Sequence, residues 1–275
     1  MKKLLLSLLA VFLFSSHAYA SSIVIEAETG KVLYEHNADS KRRPASLTKM
    51  MTLYLTFEAL KKGRLTLNHK MKVSRLAASR SPSKLYLKRG QTIKVKDAIN
   101  ALITKSANDV ATVIAEELGG GSEKKFAIMM TNEAHRLGMA RTRFRNASGL
   151  PHWLQTTTAR DMAILGQALI RDFPHEYKRF SLASFSFNDK VYRNHNHLLS
   201  CYGDVDGIKT GYTRTAGFNL VASAEIDGKR LIGVVMGYNT KTSRDKRMVQ
   251  LLNQGFTKLE KTPTKLSRNC QQADR

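Results

Sequence analysis

The chain has no apolar run long enough to cross a bilayer comfortably, even the stretch in its first fourteen residues being too short, which excludes a protein built on several spanning helices. Cysteine is scarce. Cys201 and Cys270 are the only two, so at most one bridge can form, and their positions leave a bridge and two free thiols both open. Acidic residues number 22 against 45 lysines and arginines. The basic residues are scattered and carry no nucleic-acid-binding motif, so the net charge of +23 points away from nucleic acid and toward an anionic surface. His195 and His197 have the spacing of a metal-ligand pair, but no His-Glu-x-x-His helix adds further ligands. Neither a metal nor a cofactor is expected.

What is present begins with a leader. Met1-Lys2-Lys3 is followed by the apolar stretch 4–14, and Ala18-Tyr19-Ala20 supplies a small-x-small cleavage site. This is the pattern of a secretory signal over residues 1–20. It puts the mature chain, from Ser21, in the periplasmic or cell-wall space, soluble or loosely attached to a membrane. A disulfide is chemically permitted there. Removing Lys2 and Lys3 leaves 43 basic residues against 22 acidic, a charge near +21. Such a charge suits weak electrostatic contact with acidic wall polymers or phospholipid head groups.

Three short strings carry chemistry: Ser46-Leu47-Thr48-Lys49, Ser106-Ala107-Asn108 and Lys209-Thr210-Gly211. A Ser-x-x-Lys arises about once by chance in a chain of this size, and here it recurs at Ser81, Ser122 and Ser243. Context separates them. Ser122 follows three glycines and precedes an apolar run, the signature of a helix N-cap. Ser81 precedes Pro82, which biases it toward an extended loop. Ser46 instead opens a stretch, 46–60, that is apolar almost all the way round and therefore buried, entered just after Pro44.

Residues three apart on a helix share a face, so Lys49 can reach the Ser46 hydroxyl. Burial between Leu47 and Met50-Met51 should lower the lysine pKa toward the range where its amine accepts a proton. In the competing reading Ser46 only caps the helix and Lys49 snorkels to solvent. Lys209-Thr210-Gly211 occurs once. Its neighbouring threonines and aromatics favour a strand, and Gly211 admits a ligand close to the backbone.

Together and in this order, the three strings resemble the motif set of the D-alanyl-D-alanine carboxypeptidases, the low-molecular-mass penicillin-binding proteins of the serine β-lactamase-like superfamily. Pro44-Ala45-Ser46-Leu47-Thr48-Lys49-Met50, Asn146-Ala147-Ser148-Gly149-Leu150 and Asp206-Gly207-Ile208-Lys209-Thr210-Gly211-Tyr212-Thr213 extend the likeness, which runs over roughly residues 22–260. The resemblance implies that Ser46 attacks the carbonyl of a penultimate D-alanine with Lys49 as base, and that Ser106 passes a proton to the leaving amine. It also implies that Asn108, Lys209, Thr210, Gly211 and Tyr212 surround the substrate, with the backbone N–H groups of Ser46 and Tyr212 as an oxyanion hole.

Arg244 is implied as a clamp for the terminal carboxylate, with a solvated charge among Lys241, Lys246 and Arg247 as the alternative. The partners implied are peptidoglycan stem peptides, with β-lactams as inhibitors. A DD-endopeptidase acting on cross-links and a non-catalytic wall-binding protein are the competing functions. A β-lactamase is disfavoured, because no Glu-x-x-Leu-Asn lies between Asn108 and Lys209.

The expected fold class is α/β in the α+β sense: the β-lactamase and penicillin-binding-protein transpeptidase-like fold, with an antiparallel sheet built from both termini and a mainly helical lobe. Ile23-Val24-Ile25 and Val32-Leu33-Tyr34 around Glu28-Thr29-Gly30, and 218–224 and 231–236 around Asp227-Gly228, read as hairpins. Helices are expected over 98–118, 126–137 and 158–170 within a block 46–173, and over 244–259 with Met248, Leu251, Leu252, Phe256 and Leu259 along one side. The catalytic domain reads as 21–260, its sheet drawn from 22–40 and 180–260. Residues 261–275 read as a basic polar tail, so the chain is expected to be a catalytic domain alone. Trp153, Phe180, Phe185 and Phe187 are expected to be packing residues rather than sugar platforms, with contact between glycan and one of them near the cleft as the alternative.

Overall fold

A computed structural model describes residues 20–262. All but the last residue of the expected leader, and nearly all of the basic tail with Cys270, lie outside the described residues. Cys201 is disulfide-bonded.

Nine strands are described: β1 (Ser21–Glu26), β2 (Val32–His36), β3 (Lys70–Lys72), β4 (Thr92–Lys94), β5 (Ser184–Phe187), β6 (Lys190–Arg193), β7 (Val205–Thr213), β8 (Gly217–Ile226) and β9 (Lys229–Tyr238). Five of them form one antiparallel sheet in the order β2-β1-β9-β8-β7. Both ends of the chain build it, since β1 pairs with β9 from Ser21 opposite Met236 to Glu26 opposite Leu231. The β8–β9 turn uses Asp227 and Gly228, both at positive φ, the backbone that a tight two-residue hairpin requires.

The helices are α1 (Lys49–Lys61), α2 (Arg75–Ala78), α3 (Val95–Thr104), α4 (Asn108–Leu118), α5 (Glu123–Arg136), α6 (Ala159–Asp172), α7 (Pro174–Tyr177), α8 (Leu198–Cys201) and α9 (Lys241–Lys258). Local capping chemistry sets several starts. The side chains of Ser122, Thr158 and Thr240 accept N–H bonds at the N-termini of α5, α6 and α9.

Alternating strand residues feed two cores. Ile23, Ile25, Ile232 and Val234 face the helical lobe, while Val24, Leu231 and Val235 face α9 with Met248, Leu251, Leu252 and Phe256. Two glycines let helix and sheet close up. A Cβ on Gly166 of α6 would stand 3.2 Å from Ile232, and one on Gly233 of β9 would stand 2.5 Å from the Met248 sulfur. The sheet is thus covered on one face by the lobe and on the other by α9.

The structure departs from the sequence expectations in four places. The helix expected over 98–118 is two, α3 and α4, broken at Lys105-Ser106-Ala107 with Ser106 at φ 57°. Nothing local marks the break: Asn108 N–H binds the Ser83 carbonyl instead (2.7 Å), so a tertiary contact replaces a helical one. Ser46 lies in a 3-10 turn (Ala45–Thr48), and the α-helix proper starts at Lys49. The β5–β6 hairpin was not foreseen, although Asn188-Asp189 between alternating aromatics is its turn signal. Trp153 does not pack: it is 76 % exposed, whereas Phe180 and Phe185 are buried and Phe187 packs against the core.

Candidate active site

The site begins with how tightly the turn bearing Ser46 is gripped. Asn219, buried in β8, donates its amide to the carbonyls of Arg43 (3.1 Å) and Pro44 (3.3 Å) and accepts the Gly237 N–H (2.9 Å). The preceding residue, Ala45, is held at φ 48°. From the side, β7 comes so close that a Cβ on Gly211 would stand 2.9 Å from the Pro44 oxygen and 3.1 Å from the backbone nitrogens of Ser46 and Leu47. Only glycine fits there. The end of β7 and the N–H of Ser46 thereby flank one spot.

Lys49, on the first turn of α1, is fully buried. Its Nζ contacts three oxygens: Ser46 Oγ at 3.0 Å, Asn108 Oδ1 at 2.8 Å and the Ser148 carbonyl at 2.6 Å. Burial, reinforced by the charge of Lys209 and opposed by Asp109, holds the Lys49 pKa well below the ordinary lysine value. A neutral amine has two hydrogens and one lone pair. The amide oxygen and the carbonyl can only accept, so in the neutral form they would take both hydrogens and the lone pair would be left for the Ser46 hydroxyl. Snorkelling to solvent is not what this lysine does.

The third string arrives from the lobe. The break between α3 and α4 carries Ser106, whose buried Oγ lines the cleft without a hydrogen-bond partner among the described residues. Asn108 follows, its Nδ2 donating to the Ser81 carbonyl (2.9 Å) and so turning its oxygen to Lys49. Asp109 is structural. Its carboxylate accepts the N–H groups of Leu85 and Leu87 (3.0 and 3.1 Å), anchoring the 79–87 loop whose Pro82 and Ser83 form one wall of the cleft.

Opposite stand β7 and α9. Lys209 is buried, and burial with the nearby Arg244 charge lowers its pKa to about 7. Thr210, Gly211, Tyr212 and Arg244 line the same cleft, a cavity of about 630 Å³. Arg244 is 3 % exposed and donates from Nε to Asp245 (2.8 Å), so it is not a solvated charge, whereas Arg247 turns away to the Tyr34 hydroxyl. No aspartate or glutamate lines the cleft among the described residues. His195 does line it, with its pKa pushed down to about 4 by burial and by Lys209 and other lysines, so it is neutral at pH 7. His197 sits against Lys241, and no cluster of metal-binding side chains occurs among the described residues.

The structure therefore brings all nine residues expected at the site around one cleft, Lys49 and Lys209 from just behind its wall. Sequence reasoning missed the supports. Chief among them is the loop 146–150, where Asn146 Oδ1 accepts the N–H groups of Ser148 (3.2 Å) and Gly149 (2.7 Å) and sets the carbonyl that Lys49 binds. Asn and Gly announce a turn there, but no sequence signal tells which carbonyl will face a lysine.

A family model described as D-alanyl-D-alanine carboxypeptidase matches residues 13–240. Among curated relatives, the D-alanyl-D-alanine carboxypeptidases DacC and DacA of Escherichia coli K12 are each 40 % identical, over 93 % and 86 % of this chain respectively. The chain spans 69 % of the length of DacC and 60 % of that of DacA. Among solved structures, penicillin binding protein 5 of Haemophilus influenzae aligns with a TM-score of 0.82 at 36 % identity, covering 86 % of this chain and 70 % of that one. Penicillin-Binding Protein D2 of Listeria monocytogenes, solved in an ampicillin-bound form, aligns with a TM-score of 0.79 at 33 % identity, covering 86 % of this chain and 96 % of that one.

Proposed function

The chain belongs to the D-alanyl-D-alanine carboxypeptidase family, and from that premise we propose that it is a serine-type hydrolase removing the terminal D-alanine of peptidoglycan stem pentapeptides. The observation that carries the proposal is the buried Lys49 amine, its Nζ 3.0 Å from the Ser46 hydroxyl. A binder of cell-wall peptide has no use for such a pair, because burying a lysine this way costs stability.

Ser46 Oγ attacks the carbonyl carbon of the penultimate D-alanine while its proton passes to Lys49 Nζ. Charge on the carbonyl oxygen is stabilised by the N–H groups of Ser46 and Tyr212. Ser106 gives its proton to the departing amine as the C–N bond breaks and is reprotonated from Lys49, leaving an acyl-enzyme, free D-alanine and a neutral Lys49. Water then attacks the ester carbonyl as Lys49 takes its proton, and Lys49 returns that proton to Ser46 Oγ as the acyl group leaves. Asn108 holds Lys49 and the substrate amide, Thr210 donates to the substrate's terminal carboxylate, and Lys209 and Arg244 supply the positive potential that draws it in.

The leader read from the sequence puts this activity outside the cytoplasm, where the substrate is. No helix among the described residues is long and apolar enough to cross a membrane. The test is mass spectrometry of a mixture of pentapeptide monomers and cross-linked dimers after incubation with the chain lacking residues 1–20. Monomers lighter by one alanine, and their absence with Ser46→Ala, are the expected result. Vanishing dimers with intact pentapeptides would replace the carboxypeptidase by an endopeptidase, and an unchanged mixture would leave only a wall-binding role.

A further inference from the structure

The loop that orients Lys49 continues into a surface feature that the chemistry at Ser46 does not use. Residues 146–155 are closed at their base: the Leu150 carbonyl accepts both Asn146 Nδ2 (2.9 Å) and Gln155 Nε2 (3.4 Å), and Gln155 Oε1 accepts the N–H groups of Arg145 (2.9 Å) and Asn146 (3.3 Å). The tip is Pro151-His152-Trp153-Leu154, tightened by Gln155 N–H on the His152 carbonyl and by Leu154 N–H on His152 Nδ1. Trp153, the one tryptophan of the chain, stands 76 % exposed on this pinned tip, its ring within 9° of parallel to that of His152.

A large, rigidly held aromatic face is an expensive thing to leave in water, and loops pinned on a scaffold are where binding residues concentrate. Its place relative to the cleft sets what it can meet. Gly149 lies against the Ser46 turn, so close that a Cβ on it would stand 2.9 Å from Ser46 N, and Leu150 lines the cleft. Trp153 is four residues beyond Gly149, a reach of at most about 14 Å. In a stem peptide bound with its fourth residue at Ser46, the first residue and the sugar it hangs from lie roughly 10–14 Å away when the chain is extended.

We propose that Trp153, backed by His152, is a stacking platform for the sugar ring that carries the stem peptide, so that the enzyme favours glycan-linked pentapeptide over the free peptide. The apolar C–H face of a pyranose lies flat on an indole, and the pinned loop spares the ordering cost of forming the platform on binding. This rests on the carboxypeptidase reading above.

The test compares hydrolysis of free pentapeptide with that of a disaccharide-pentapeptide by the wild type, Trp153→Ala and Trp153→Phe. Expected are a three- to tenfold rise in KM for the disaccharide substrate with Trp153→Ala at little change in kcat, most of it recovered by Trp153→Phe, and unchanged constants for the free peptide. Ser46→Ala protein titrated with the disaccharide-pentapeptide should show a saturable change in tryptophan emission that free pentapeptide does not give. Equal losses on both substrates, or none on either, would overturn the platform. If the wild type hydrolysed neither pentapeptide, the carboxypeptidase reading itself would fall.

Discussion

Lys49 Nζ lies nearer to the main-chain oxygen of Ser148, at 2.6 Å, than to the hydroxyl of Ser46, at 3.0 Å. The loop carbonyl, with the Asn108 amide, decides where the lysine's lone pair points, and Asn146 decides where that carbonyl stands. Replacing Asn146 by alanine removes the acceptor of two loop N–H groups, freeing the loop without touching a reacting atom. The expected outcome is a tenfold to hundredfold fall in kcat for pentapeptide, with KM little changed. Stability should fall by about 1–3 kcal/mol, read by denaturant unfolding. Loss of activity no greater than the loss of folded protein would contradict the positioning role.

Gly211 gives a second prediction. In Gly211→Ala the added methyl meets the Pro44 carbonyl at 2.9 Å and the backbone nitrogens of Ser46 and Leu47 at 3.1 Å, and all three neighbours are backbone that cannot swing aside. β7 must withdraw from the turn, which opens the oxyanion hole. A hundredfold or greater loss of kcat/KM is expected, since one missing oxyanion donor costs about that much, while circular dichroism stays that of the wild type.

The pH profile follows from two lysines. The proposed mechanism needs neutral Lys49, so activity falls as falling pH reprotonates it. Because burial and Lys209 hold its pKa well below the ordinary lysine value, that fall comes at a pH well below the one at which an ordinary lysine takes up its proton. In the proposed mechanism Lys209 acts in its charged form. With a pKa of about 7 it loses its proton above neutrality, so KM for a carboxylate-bearing peptide should rise on the alkaline side while kcat holds. A KM independent of pH between 6 and 9 would argue against Lys209 as the carboxylate's partner.

Lys209 also bears on stability. Its folded pKa of about 7 lies below the unfolded value of 10.5, so between those limits the unfolded chain binds more protons and stability rises with pH. Below about pH 7 the penalty for the buried charge is complete. Lys209→Met should therefore melt higher at pH 7, by about 2–4 °C per kcal/mol relieved, with the gain shrinking toward pH 10, while hydrolysis is lost. Equal or lower stability of the methionine variant at pH 7 would refute this.

How much of this was legible in the sequence depends on range. The hairpins at Asp227-Gly228 and before Val32, the amphipathic α9 and the gathering of Ser46, Ser106 and Lys209 could be read, because turns, periodicities and family strings are local signals. The break that presents Ser106 could not, since it answers to a bond from Asn108 N–H to the Ser83 carbonyl, a residue far off in sequence. The burial of Arg244 was equally hidden, because its charged neighbours left a clamp and a solvated charge both open until α9 was seen lying against the sheet. Trp153 was misread in the opposite direction, as aromatic residues usually pack and only the pinned loop turns this one outward.

Penicillin supplies a further prediction. Acylation of Ser46 needs only the groups already described, whereas rapid deacylation needs a base beside the ester, and no carboxylate lines the cleft among the described residues. Intact-mass analysis should show one penicillin-sized adduct on the wild type that persists after the free drug is removed, and none on Ser46→Ala. Quick return to the unmodified mass, with hydrolysed drug accumulating, would make the protein a β-lactamase in practice.

The sheet that joins both ends of the chain has a consequence for when the enzyme can first act. Ser46 and Lys49 lie near the beginning, yet the turn that holds them is fastened by Asn219 and flanked by Gly211, and β1 finds its partner only in β9. Closing such long loops is slow and comes late in folding. A chain whose last third has not yet emerged carries Ser46 and Lys49 but not the groups that hold them in place. On the proposed reading, the capacity to form an acyl-enzyme is thus acquired all at once, when the last strands pair.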